Sequence, residues 1–245
     1  MKKIVITGGL GYIGMELCKI YSGQSRTKNI TVIDNKFHSS RVEQLKRWGI
    51  KYRQIDILDS NNLNKEINDA DIIYHLAGIS DVATVKEDIN INHEKLVFAV
   101  GVEGTRNIIN LSSESAKIVF PSTHVIFEGL KKVKFNIDET HEPSPVLDYA
   151  KGKLESENDL IKSNKNFVIL RLGSLYGKSF DSTRLNIMPN LFAKISSFNG
   201  KITLYSGGKQ LKSLVSINDV VRCMEFVGEN KKINNIKRIK FLSIN

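Results

Sequence analysis

The sequence predicts an α/β fold built on a doubly wound parallel sheet, and three observations carry that prediction. Short apolar runs and helical patterns alternate along most of the 245 residues, with no repeat or low-complexity linker between them. This is how strands buried on both faces and covered by helices read in a sequence. The first run, Lys3-Ile4-Val5-Ile6-Thr7, stops at a glycine-rich turn, Gly8-Gly9-Leu10-Gly11-Tyr12-Ile13-Gly14, and the chain resumes as a helical pattern from Met15 to Ile20. The second run, Ile30-Thr31-Val32-Ile33, ends in an acid, Asp34, twenty residues beyond Gly14.

The remaining elements follow in order. A helix is expected near Arg41 to Trp48, a strand near Lys51 to Ile55, a short helix near Asn62 to Ile67 and a strand from Asp71 to Leu76. A long helix from about His93 to Ser112 leads to the strand Lys117-Ile118-Val119-Phe120. A helix from Tyr149 to Lys162 then leads to the strand Asn166 to Leu170. Beyond Gly177 the pattern loosens: a helix near Met188 to Ser197, strands near Ile202 to Tyr205 and Ser213 to Ile217, a helix from Asn218 to Val227, and a strand-like Ile239 to Leu242. We therefore expect residues 1–177 to form the nucleotide-binding domain and residues 178–245 a small C-terminal substrate lobe over the carboxyl edge of the sheet, where ligands of such sheets bind.

A glycine turn between strand and helix has chemical content. Glycine at 8, 11 and 14 allows a tight turn, close approach to a pyrophosphate and close helix packing, with the phosphates at the positive helix N-terminus. This makes the sheet Rossmann-type. Asp34 can accept hydrogen bonds from both ribose hydroxyls and would repel a 2′-phosphate, which favours NAD over NADP; Lys36 and Arg41 nearby blur that preference without reversing it.

Length and composition set limits. A chain of this size can bury a core without disulfides, and Cys18 and Cys223, on apolar helical faces, read as core residues of a cytoplasmic protein rather than as a metal or redox pair. No basic leader and no run of about 18 apolar residues is present, so no membrane association is expected. The formal charge is +10 and the pI about 9.5. Lysine richness pervades the chain without the aromatic interleaving that single-strand binders use, so nucleic acid is not the expected partner. His75 reads as a structural residue closing a buried strand. His38, His93 and His141 are scattered, and no His/Asp/Glu grouping looks like a metal site.

Tyr149 and Lys153 lie four apart, on one face of a helix. A tyrosine of ordinary pKa is a poor base at neutral pH, but a neighbouring ammonium and an oxidised nicotinamide favour its phenolate, and the lysine can also hold the cofactor ribose. Together with this pair, the blocks Thr7 to Gly14, Val32-Ile33-Asp34-Asn35, Asp56-Ile57-Leu58-Asp59, His75-Leu76-Ala77-Gly78, Val102-Glu103-Gly104-Thr105 and Arg171-Leu172-Gly173-Ser174-Leu175-Tyr176-Gly177 give a recognisable set. From Met1 to about Val227 the chain resembles the extended short-chain dehydrogenase/reductases, in particular the NAD-dependent epimerase/dehydratase family that acts on nucleotide sugars.

The resemblance implies a cofactor site made by Gly8, Gly11, Tyr12, Ile13, Gly14, Asp34, Asn35, Asp56, Ile57, Leu76, Ala77 and Gly78 with Tyr149 and Lys153. It implies Thr123 as the catalytic hydroxyl beside Tyr149 and Lys153, and Ser80, His124, Ser174 and Lys212 as substrate contacts. A homodimer is expected. The chain departs from the family pattern at Gly101, where Asn is usual, at Ser174, where Asn is frequent, and at Lys212, where Arg often clamps a diphosphate and a lysine loses the bidentate fork. His124 and Val125 replace the Asp-Glu that commonly follows the threonine of 4,6-dehydratases. The leading expectation is a nucleotide-sugar epimerase working by transient oxidation. The alternatives are a 4-keto-sugar reductase, suggested by Ser122-Thr123 with Phe127 and Gly129, then a dehydratase, then a non-catalytic NAD-binding or RNA-associated protein.

Overall fold

A computed structural model of the chain describes residues 2–24, 27, 29–80, 91–131, 134–209, 212–233 and 236–241. Its first half alternates strictly: β1 (Ile4–Thr7), α1 (Tyr12–Gly23), β2 (Ile30–Asp34), α2 (Ser39–Arg47), β3 (Lys51–Gln54), α3 (Ser60–Ile67), β4 (Ile72–His75) and α4 (Ile91–Leu111). Then come β5 (Lys117–Thr123), a 3-10 turn at His124–Phe127, α5 (Asp148–Lys162) and β6 (Asn166–Leu172). The chain finishes with β7 (Ser174–Tyr176), α6 (Met188–Ser197), β8 (Leu214–Ser216), α7 (Ile217–Glu229) and β9 (Ile236–Phe241).

Seven strands form one sheet in the order β3-β2-β1-β4-β5-β6-β9, and every neighbouring pair is parallel. Successive strand residues face opposite sides, so each apolar run feeds two cores. Ile4, Ile6, Val32, Tyr74 and Leu170 pack with α1 and α7 on one side. Val5, Ile33, Ile73, Ile118, Phe120 and Ile169 pack with α3, α4 and α5 on the other. The chain order reverses between β1 and β4, which opens a crevice beyond their carboxyl ends.

Two expectations beyond Gly177 need revision. Residues 201–204 are not a strand, and Tyr205–Gly208 is a 3-10 turn; Gly207 and Gly208 have φ of 66° and 71°, left-handed values that end an extended run. The division at residue 177 also does not divide the sheet. Helix α7 lies on the core face shared with α1, where Gly228 makes room for the Tyr74 hydroxyl and Lys117 Nζ donates to the α7-end carbonyls of Val227 and Asn230 at 3.1 and 2.6 Å. Strand β9 then pairs with β6. What stands apart from the main sheet is residues 174–216, with the two-stranded sheet β7-β8 and helix α6.

Both cysteines are free; Cys18 is buried and Cys223 partly so. Burial pushes both thiols up, Cys223 to about 11. Among the described residues no helix is long and apolar enough to cross a membrane.

Candidate active site

The glycine turn and the end of β4 touch through backbone alone. Gly8 has φ of 65°, and a Cβ there would lie 2.6 Å from Ala77 N and 2.8 Å from the Leu76 carbonyl carbon, so any side chain would push the two loops apart. Gly11 is the N-cap of α1 and supplies no side-chain cap. The first amides of the helix, Tyr12 and Ile13 among them, are thereby left for an anion. Gly14 lies under Gly9, where a Cβ would meet the Gly9 Cα at 2.5 Å. These are the features a dinucleotide pyrophosphate requires, and the residues present fit NAD.

Asp34 ends β2 with its carboxylate turned back on the turn: Oδ2 accepts from Leu10 N at 3.2 Å and Oδ1 from Lys36 N at 3.1 Å. Arg41 spans the same turn, donating to Leu10 O at 2.8 Å. Asn35 donates to Asp56 Oδ2 at 3.1 Å, and the Asp56 carboxylate also accepts from Leu58 N at 2.9 Å. Ile57 is buried, and its side chain fills the space left by Gly104 on α4, which accounts for glycine in the Val102-Glu103-Gly104-Thr105 block.

Behind this floor His75 is 1% exposed. Its Nδ1 lies 2.9 Å from Thr7 Oγ1 and its Nε2 3.0 Å from Thr105 Oγ1. Thr105 donates its hydroxyl to Gly101 O at 2.6 Å, so it accepts from Nε2–H, and Thr7 donates to Nδ1. Burial and the Lys153 charge lower the His75 pKa to about 3. The imidazole is neutral and structural, as the sequence suggests.

Tyr149, Lys153, Gly78, Ile79, Gly101 and Gly152 line one cleft. The Thr123 hydroxyl accepts from Val125 N at 3.2 Å. Burial raises the Tyr149 pKa, opposed by the Arg184 cation and the nearby Thr123 hydroxyl. Lys153 Nζ donates to Pro121 O at 2.9 Å and sits 4.3 Å from the Phe120 ring centroid; burial lowers it to about 8. Gly101 has none of the described residues within 4 Å of an added Cβ.

The four residues expected to contact substrate are engaged unequally. His124 Nδ1 donates to Leu172 O at 3.0 Å, and burial lowers its pKa. Lys212 is exposed, its charge felt by His124. Ser174 is fixed through its backbone N–H, 2.8 Å from Ser213 O. Ser80 meets a residue that sequence reasoning missed: Arg184, from the segment 174–216, donates Nη1 to Ser80 Oγ and Nη2 to Ser80 O. Tyr12 also has a use not foreseen. Its hydroxyl donates to Gly177 O at 2.5 Å and accepts from Asn190 Nδ2 at 3.2 Å, fastening the start of α1 to α6. Among the described residues no group of three or more His, Cys, Asp or Glu could hold a metal.

Fold and cleft together define an enzyme of the extended short-chain dehydrogenase/reductase type. The sequence profile of the NAD dependent epimerase/dehydratase family matches residues 4–239; the chain belongs to that family, and its cofactor is NAD. It is 25% identical over 268 residues to UDP-glucose 4-epimerase of Mycoplasma genitalium, covering 99% of this chain and 75% of that protein. It is likewise 25% identical to UDP-N-acetyl-alpha-D-glucosaminuronate decarboxylase of Bacillus cytotoxicus, over 95% of this chain and 73% of that protein. In fold it is similar to UDP-glucuronic acid 4-epimerase of Bacillus cereus, solved with UDP-glucuronic acid and NAD, at TM-score 0.81 and 22% identity over 99% of this chain and 78% of that one.

Proposed function

We propose that this enzyme is an NAD-dependent nucleotide-sugar epimerase with Tyr149 as the base. The observation that carries the reading is the pair Tyr149 and Lys153, one turn apart on α5 and lining one cleft, with the Thr123 hydroxyl near enough to lower the Tyr149 pKa. Bound NAD supplies a hydride acceptor that serves again as donor for the return step. Tyr149, as phenolate, takes the proton of the sugar hydroxyl and later gives it back. Thr123 holds the reacting oxygen by a hydrogen bond that keeps it facing Tyr149. Lys153 supplies positive charge that favours the phenolate and is within helical reach of a ribose. Ser80, Arg184, Ser174 and Lys212 are the groups that would hold the sugar and its diphosphate, and Asp34 the adenosine ribose.

Two features support epimerisation over dehydration. No carboxylate follows Thr123, and the imidazole that does follow it is committed to the Leu172 carbonyl. The test is a panel of UDP-, GDP- and dTDP-sugars. An epimerase equilibrates two epimers with no net change in nicotinamide absorbance, and a deuterium at the reacting carbon is retained. Steady NADH consumption with a 4-keto sugar and no epimer interconversion would replace this reading by the reductase.

A further inference from the structure

Helix α5 and the end of β5 are joined by two hydrogen bonds. Tyr149, Lys153 and Glu157 follow one another by a turn on one face of α5. Pro121 O accepts from Lys153, Ser122 Oγ donates to Glu157 Oε1 at 2.5 Å, and the next residue of β5, Thr123, lies near enough to Tyr149 to lower its pKa. Glu157 is 0% and Arg171 1% exposed. Arg171, reaching over from β6, donates Nε to Oε1 at 3.0 Å and Nη2 to Oε2 at 2.7 Å, and its cation faces the Phe127 ring at 5.4 Å, in the turn that follows Thr123.

A buried ion pair is a weak stabiliser, since apolar residues of equal volume do as well. This one stands a turn below an ammonium that burial acts to discharge and that the Glu157 carboxylate acts to keep charged. Among the described residues, the other groups named with Lys153 carry no negative charge: Tyr149 on its own helix, neutral His75 from β4, and Val97 and Gly101 from α4. We propose that Glu157 is a positioning residue for the Tyr149–Lys153 pair. Through Ser122 it fixes the strand end that carries Thr123, and its carboxylate, shared with Arg171, is the counter-charge that keeps Lys153 an ammonium. This inference rests on the roles given above to Tyr149 and Lys153.

The experiment is an NMR titration of the Lys153 side chain in the full chain, which needs no substrate, so an absence of epimerase activity and a failure of this inference are separate results. Glu157→Gln keeps the shape but leaves the Arg171 charge uncompensated, and Lys153 should deprotonate about one pH unit lower than in the wild type. Glu157→Asp, which restores the charge, should return most of that shift. A Lys153 titration that does not move in folded Glu157→Gln overturns the counter-charge. Ser122→Ala leaves the ion pair whole and covers the case in which Glu157→Gln does not fold. It should move the Thr123 methyl and Tyr149 ring resonances while leaving the Lys153 titration in place; unmoved resonances overturn the positioning role.

Discussion

Arg184 reaches Ser80 across the cleft, its Nη1 2.7 Å from Ser80 Oγ and its Nη2 3.1 Å from Ser80 O. The two residues belong to opposite walls, one to the segment above the sheet and one to the loop leaving β4, and the cation between them is felt by Tyr149. Removing it therefore changes both the shape and the electrostatics of the cleft. Because the Arg184 charge lowers the Tyr149 pKa, Arg184→Ala should raise it, and the acidic limb of the pH-rate profile should move to higher pH. With a nucleotide-sugar substrate, kcat/KM should fall about 10- to 100-fold, roughly 1.4–2.7 kcal/mol of transition-state stabilisation. Arg184→Lys should restore most of the pH limb and less of the rate.

Asp34→Ala should weaken NAD about tenfold, close to 1.4 kcal/mol, and NADP less. The carboxylate that would bond the ribose hydroxyls and repel a 2′-phosphate is lost, and with it the acceptor for Leu10 N. Fluorescence titration of both cofactors against both proteins is the measurement. Tighter NADP than NAD binding by the wild type would contradict the assignment.

Tyr149→Phe should lower kcat by about 10²–10⁴ and leave NAD affinity within about twofold, since only the ionisable hydroxyl is removed. Isothermal titration with NAD, paired with turnover of the best sugar found, separates the two effects. Retention of most activity would mean that another group is the base.

His75 gives a pH dependence of stability. Its folded pKa is held near 3, well below the ordinary 6.5, so the unfolded chain binds a proton that the folded chain refuses. Stability from this residue is intact above pH 6.5 and falls by about 1.4 kcal/mol per unit as the pH drops toward 3. Between pH 7 and pH 5 the loss is about 2 kcal/mol. Urea unfolding at the two pH values should show it in the wild type, and His75→Asn should show correspondingly less.

Gly101 lies inside α4, and none of the described residues fills the place a Cβ would take. Gly101→Ala should stabilise the chain by about 0.5–1 kcal/mol through the lower entropy of its unfolded state, read as a higher urea midpoint at unchanged slope. A lower midpoint would mean that the space is not free.

Much of this fold was legible because buried parallel strands are continuous apolar runs and because the glycine turn and Asp34 mark the first two of them. The site was legible where spacing encodes it, as with Tyr149 and Lys153 on one helical face. Arg184 was not, since an arginine in an irregular segment carries no periodic signal and meets Ser80 only through tertiary packing. The pairing of Glu157 with Arg171 escaped for the same reason: the two charges meet only once strand and helix are docked. Residues 202–205 were misjudged because strand propensity expresses itself only beside a partner strand, and the glycines that follow turn the chain away. The strand-like Ile239 to Leu242 was legible, but not its pairing with β6, because a strand's partner is set by tertiary packing.

The outer strands of the sheet before β9 joins it, β3 and β6, are protected differently. At β3 the outward residues Lys51, Arg53 and Gln54 are polar and exposed, which by itself discourages another strand from adding. At β6 the run Phe167-Val168-Ile169-Leu170 has no such guard and is covered by β9, which is made only after α6, β8 and α7. During synthesis, then, an apolar strand waits with its amide and carbonyl groups unpaired while the whole segment above the cleft emerges. The interval exposed to aggregation is the one before residues 236–241 pair with β6.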